Sequence, residues 1–308
     1  MRIKKLFIFF ITFVTTLFCI TGCSKDESKN SSKKLRDPSP QLYIPSTDYQ
    51  ITDQENNVSI DASHASSGYI MINYSGDNQK VKIQITSPDQ VDYTYPVTVL
   101  NQFITYPLPG GNGPYKITVL ESVDINKNLY ATCFSKQINV SLENEYLPFL
   151  YANYYIYFDK DSKCVQKAQE LAKDCYSSID VITNVYNYVI KNIKYDKNKA
   201  NNVQYGYIPH PDQTLKEKSG ICFDYASLTS AMLRSQGIPT KLEVGYVGEV
   251  YHAWISCYVD EVGWVDDIIE FDGKDWSLLD PTLGANNSSK DVKKYIGDGS
   301  KYIVKYTY

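Results

Sequence analysis

Near Pro148 the chain changes its hydrophobic period, and that change restricts the available folds more than any other feature of the sequence. From about Tyr43 to Leu142 apolar residues recur at every second position, as in Val81-Lys-Ile-Gln-Ile85, Tyr69-Ile-Met-Ile-Asn-Tyr74 and Tyr115-Lys-Ile-Thr-Val-Leu120. Turn formers separate these runs at Ser75-Gly-Asp-Asn78, Ser87-Pro-Asp89 and Pro109-Gly-Gly-Asn-Gly-Pro114. Short strands at this spacing predict an all-β, immunoglobulin-like sandwich over residues 41–145. No internal repeat is visible.

Beyond Pro148 the period lengthens. Cys164, Ala168, Leu171 and Cys175 are spaced along one face of a helix, and Ile182, Val185, Tyr186, Val189 and Ile193 along another. A third helix is predicted from Cys222 to Gln236, stopped by Gly237 and Pro239. Strand-like runs follow at Lys241–Val247, Tyr251–Val259 and Trp276–Leu279. Helices first and sheet afterwards is an α+β layout for residues 146–308.

Ahead of both halves, Arg2, Lys4 and Lys5 precede an apolar run from Leu6 to Ile20 that is short for a bilayer span. This is the layout of a signal peptide over residues 1–22. It ends in Ile20-Thr-Gly-Cys23, which resembles the bacterial lipobox. The resemblance implies cleavage before Cys23 and lipidation of its thiol; the alternative is an ordinary secretory cut nearby. Residues 23–40 are polar and rich in Ser, Lys and Pro, so they read as a flexible tether. The expected location is the extracytoplasmic face of the cell membrane, held there by lipid.

Composition narrows the partners. Charged residues make up 21% of the chain and the mean hydropathy is −0.35, which excludes a multi-spanning membrane protein. Leader and tether take eight of the 31 basic and three of the 35 acidic residues, leaving 23 basic against 32 acidic from Gln41 onward. A folded part carrying a net −9 is repelled by nucleic acid and by anionic lipid. No zinc spacing, phosphate loop or dinucleotide fingerprint is present, so neither metal nor cofactor is expected.

The seven cysteines cannot all be paired. Cys19 belongs to the leader and Cys23 to the lipid anchor. Cys133, Cys164, Cys175 and Cys257 read as packing residues, with a long-range pair among them left open. On a single helix, Cys164 and Cys175 would be roughly 16 Å apart, too far for a disulfide. Cys222 differs in its setting, Ser219-Gly-Ile-Cys-Phe-Asp-Tyr-Ala226, where a turn opens directly into a helix. Free N–H groups and the positive end of the helix dipole favour a thiolate there and can later hold an oxyanion. Asp224 in the first turn works against the thiolate.

A thiol nucleophile needs a base, and there are three histidines. His64 lies in the β half and His210 sits between two prolines in a loop. His252 opens a strand, with Trp254 sharing its face and Cys257 pointing the other way. Asp280, in Leu278-Leu-Asp-Pro-Thr282, can accept a hydrogen bond from the second imidazole nitrogen and set its tautomer.

Taken together, Gly-x-Cys222, then His252-Ala-Trp, then Asp280-Pro-Thr resemble the transglutaminase-like domain of the papain-like cysteine peptidase superfamily. Asn192-Ile-Lys-Tyr-Asp196 is similar to the helix end that precedes the nucleophile loop in that family. The resemblance spans roughly Asp161 to Thr282. It implies a papain-like core, with Cys222 as nucleophile, His252 as acid and base, and Asp280 as orienter. An acidic insertion at 260–275 departs from the pattern and reads as a solvated hairpin, without the order of a calcium loop. Tyr207 is the side chain put forward as a second oxyanion donor. The implied activity is acyl transfer from an amide or peptide bond through a thioester, with hydrolysis favoured and protein crosslinking as the alternative. The expected partner is a protein or peptide substrate at the cell envelope. A non-catalytic adhesion or wall-binding lipoprotein is the rival reading. Tyr151, Tyr154, Tyr155 and Tyr157, at the junction of the halves, are expected to pack between them.

Overall fold

A computed structural model of the protein describes residues 34–260, 263–265, 269–271, 276–278 and 302–308. The expectations for Cys19, Cys23, Asp280 and most of the acidic stretch fall outside the described residues.

The first half is built from eight strands: β1 (Thr52–Glu55), β2 (Val58–Asp61), β3 (Tyr69–Tyr74), β4 (Val81–Thr86), β5 (Asp92–Pro96), β6 (Ile104–Pro107), β7 (Gly113–Asp124) and β8 (Leu129–Val140). They form two antiparallel sheets, ordered β1-β2-β3-β6 and β5-β4-β7-β8. The chain crosses between sheets after β3, β5 and β6, in the manner of immunoglobulin-like sandwiches. Alternation determines what lies between the sheets. Val81, Ile83 and Ile85 of β4 are buried while Lys82, Gln84 and Thr86 are only half-buried. Ile70, Ile72, Ile117 and Val119 meet them in the core.

The second half contains α1 (Lys163–Leu171), α2 (Ser178–Asn192), β9 (Lys194–Tyr195), α3 (Lys197–Asn202), α4 (Pro211–Glu217), β10 (Ser219–Gly220), α5 (Cys222–Arg234), β11 (Thr240–Val247), β12 (Val250–Val259), β13 (Gly263–Val265), β14 (Ile269–Phe271), β15 (Trp276–Leu278) and β16 (Tyr302–Thr307). An antiparallel sheet in the order β13-β12-β11-β16 packs against α5, which in turn touches α1, α2 and α4. Every residue of α5 from Asp224 to Arg234 is buried, so this helix is the centre of the half. Gly237, with φ of +68°, ends it: Ile238 N–H returns to the Leu233 carbonyl and Gly237 N–H to that of Arg234.

Three local expectations differ from the structure. The first helix stops at Leu171, and Cys175 sits in a turn beside Asp174, whose φ is +63°. Cys175 is nevertheless buried and unpaired, as are Cys164 and Cys257. The segment around His210 is not all loop, because His210 stands at the N-cap position of the seven-residue helix α4. The end of the expected tether is docked: Arg36 N–H donates to the Cys175 carbonyl and Gln41 N–H to that of Ser235, each at 2.8 Å.

The two halves share one continuous core. Tyr154 packs edge-on and Tyr155 at a tilt against Tyr95 of β5, Tyr308 fits between Tyr93, Tyr95 and Tyr155, and Tyr151 lies between Tyr43 and Tyr69. Tyr157 stands apart, half exposed and bonded to Asp159. Arg234 is completely buried and donates to the carbonyls of Thr240, Tyr151 and Tyr308, tying α5 to the junction and to the end of β16. Among the described residues no helix is long and apolar enough to cross a membrane.

Candidate active site

Cys222 is the first residue of α5, and a short parallel bridge sets its approach: β10 pairs with β9, Gly220 opposite Tyr195. A side chain at Gly220 would place its Cβ 2.6 Å from the Asp224 Cβ, so only glycine lets the turn close onto the helix. Asp224 is fully buried in the first helical turn. Its carboxylate accepts from the Ile221 N–H at 2.8 Å, which caps the helix, from Lys199 Nζ at 2.7 Å and from the Tyr207 hydroxyl. Lys199 also bonds the Tyr207 hydroxyl at 2.6 Å. The acid expected to oppose the thiolate therefore has its charge balanced by Lys199. The Tyr207 hydroxyl is committed to Asp224, which removes it as a second oxyanion donor.

The Cys222 sulfur lies against the main chain of β12. Burial raises its pKa, while N–H groups of Ala253 and Phe223 pointing at the sulfur pull it down and Asp224 pushes it up; the net shift is upward. Ala253 follows His252 directly. The strand's alternation sends Ala253, Ile255 and Cys257 into the core shared with α5. On the opposite face Trp254 lies 6.4 Å from the His252 ring, nearly parallel to it. Trp254 Nε1 and the Ser256 hydroxyl both donate to Glu243 Oε2, at 2.9 and 2.6 Å. His252 is 7% exposed, and burial lowers its pKa to about 4, so the imidazole is neutral at pH 7. Its Nε2 has no hydrogen-bond partner among the described residues.

The structure thus brings the thiol to the backbone beside His252, without a described hydrogen bond between sulfur and imidazole. Asp280 lies outside the described residues. His64 stacks on Tyr69 in the sandwich and His210 lies near Tyr157, so neither histidine is among the residues around Cys222.

A cavity of about 630 Å³ opens at Cys222. Thr94 and Pro96 of β5 form one wall, and tyrosines 155, 195, 205, 207, 251, 306 and 308, with Phe223, form much of the rest. Neither the β5 wall nor Lys199 is visible in sequence. Both come from segments remote from Cys222 in the chain, and α3, which carries Lys199, is too short to show a period. Of the aromatic lining residues, Tyr195, Phe223 and Tyr251 lie inside runs that the sequence singles out, and Tyr155 and Tyr207 are named there individually.

Residues 165–266 match the model of the transglutaminase-like superfamily core. The match covers about a third of the chain, within its α+β half, with Cys222 and His252 inside the matched span and Asp280 beyond it. It is 30% identical to UPF0252 protein MJ1282 of Methanocaldococcus jannaschii over 61% of this chain, and spans 58% of that relative's length. Similar solved structures include a candidate cysteine protease from Cytophaga hutchinsonii, 16% identical, with a TM-score of 0.36 over 78% of this chain and 83% of that one. Red sea bream transglutaminase is 12% identical, with a TM-score of 0.29 over 70% of this chain and 48% of that one.

Proposed function

We propose that this protein is an extracytoplasmic lipoprotein, anchored through Cys23, that cleaves amide or peptide bonds through a thioester on Cys222. The observation that carries the reading is the placement of a thiol at the start of a buried helix, facing a roomy cavity, with a neutral imidazole on the neighbouring strand whose Nε2 has no partner among the described residues. At rest both groups are neutral. When substrate enters, His252 takes the thiol proton and the sulfur attacks the carbonyl carbon. The Cys222 N–H, at the first position of α5, is the donor offered to the oxyanion. As the C–N bond breaks, the imidazolium gives its proton to the leaving nitrogen. Water then attacks the thioester, losing a proton to His252, and the thiol is restored as the acid departs. Asp280 has the role of partner to the orphaned His252 nitrogen. A peptide or protein at the cell envelope is the substrate this location supplies.

The test is alkylation of the purified protein, without its leader, by iodoacetamide at neutral pH, with the modified cysteines mapped. Cys222 is expected to react faster than Cys133 and Cys257, and His252→Ala to slow it at least tenfold. Equal rates for the three, or an unchanged rate in His252→Ala, would refute the reading. Incorporation of a primary amine into a glutamine peptide, in place of its hydrolysis, would move the reaction to crosslinking.

A further inference from the structure

The cavity at Cys222 is walled by the sandwich as well as by the transglutaminase-like half. We propose that it selects an uncharged acyl segment bearing an aromatic or large aliphatic side chain, and that Thr94 and Pro96 of β5 help determine this specificity. The proposal rests on the thioester reading above and adds a substrate class to it.

Among the described residues the cavity is lined by no Asp, Glu, Lys, Arg or His. This has a direct consequence. A charged substrate side chain entering here would lose water without finding a counter-charge among the lining side chains, whereas an apolar one gains by leaving water. The volume of about 630 Å³ is within the range of small-ligand sites and holds a side chain with its flanking backbone. Tyr205 and Tyr251 stand largely exposed at the cavity, at 79% and 55%. Rings left in water beside a nucleophile provide area that a flat or apolar group can cover.

The sandwich holds this arrangement in place. The Tyr154 hydroxyl donates to the Pro96 carbonyl, fixing β5 to the junction. The loop bearing Tyr205 lies on the same strand: a Cβ on Gly206 would come 3.1 Å from Pro96 Cγ, and Lys82 Nζ of β4 sits 5.5 Å from the centre of the Tyr205 ring. Thr94 is half-buried at the wall, where its side chain can be exchanged without opening the core.

The experiment uses the whole mature chain and dipeptidyl acyloxymethyl ketones that differ only in the side chain next to the electrophile: Phe, Leu, Glu or Lys. Inactivation rates are measured beside the iodoacetamide rate at Cys222. The Phe and Leu probes are expected to react at least tenfold faster than the Glu and Lys probes. Thr94→Glu should raise the Lys probe relative to Phe by at least tenfold, each rate being divided by the iodoacetamide rate of the same variant. Equal rates for all four probes, with Cys222 still alkylated in a His252-dependent way, would overturn the specificity proposal and leave the thioester reading standing. A preference that Thr94→Glu does not move would overturn the role of β5. Loss of His252-dependent alkylation itself would bring down both.

Discussion

Replacing Lys199 by methionine removes the cation that balances a fully buried carboxylate two residues from the nucleophile. Lys199 Nζ is 2.7 Å from Asp224 Oδ2; its side chain is 27% exposed and that of Asp224 is not exposed at all. At an effective dielectric of 20, a pair this close attracts by roughly 6 kcal/mol, part of which is spent on desolvating the two groups. Breaking a buried pair by removing one partner costs about 3–5 kcal/mol, because the other charge stays behind. The partial exposure of Lys199 lowers the expectation to about 3 kcal/mol. Methionine keeps the length of the stem, so the loss reports charge and hydrogen bonding more than packing. Urea unfolding at pH 7 should show a lower midpoint with an unchanged slope. Asp224→Asn alone should also destabilise, and the double variant should lose about 2 kcal/mol less than the two single losses combined, since the pair is one interaction. The thiol supplies a second readout. An uncompensated Asp224 pushes the Cys222 pKa further up, so alkylation at pH 7 should slow. A loss below about 1 kcal/mol in Lys199→Met, or strict additivity in the double variant, would place the pair among solvent-screened surface pairs and refute the argument.

His252 predicts a pH-dependent stability. The folded imidazole stays neutral down to about pH 4, whereas the unfolded one takes up a proton near 6.5. The unfolded state binds the extra proton between these values, so stability is complete above about pH 6.5 and falls by roughly 3 kcal/mol as pH drops to 4. Thermal midpoints measured across this range should fall more steeply for wild type than for His252→Gln, and parallel slopes would contradict the burial of a neutral imidazole. Arg234→Met leaves the carbonyls of Thr240, Tyr151 and Tyr308 without their donor, and should cost about 3 kcal/mol. Hydrogen exchange in that variant should rise first in β16; protection there equal to wild type would argue against the role given to Arg234. Gly220→Ala forces a Cβ to within 2.6 Å of the Asp224 Cβ, so it should destabilise by about 1–3 kcal/mol and slow alkylation of Cys222. An alkylation rate equal to wild type would show that the turn relaxes freely.

The two halves were legible because periodicity is a local property. Val81-Lys-Ile-Gln-Ile85 must bury one face of a strand, and Ile182, Val185, Tyr186 and Val189 one face of a helix, whatever surrounds them. The motif residues Cys222 and His252 could be named for the same reason, since a helix start and an alternating strand have sequence signals of their own. Helices α3 and α4 were not legible, being six and seven residues long, less than two turns. The end of α1 was misplaced because Cys175 continues the apolar spacing while the backbone has already turned at Asp174.

By itself, the sequence determined that β structure precedes a helix-and-sheet half, and which thiol begins a helix. Only the tertiary structure decided that the halves share a core, that Lys199 balances Asp224, and that β5 walls the cavity at Cys222. Each of these joins segments far apart in the chain. Periodicity and spacing report which face of an element is buried, but the partner that covers it is chosen by packing and charge in three dimensions.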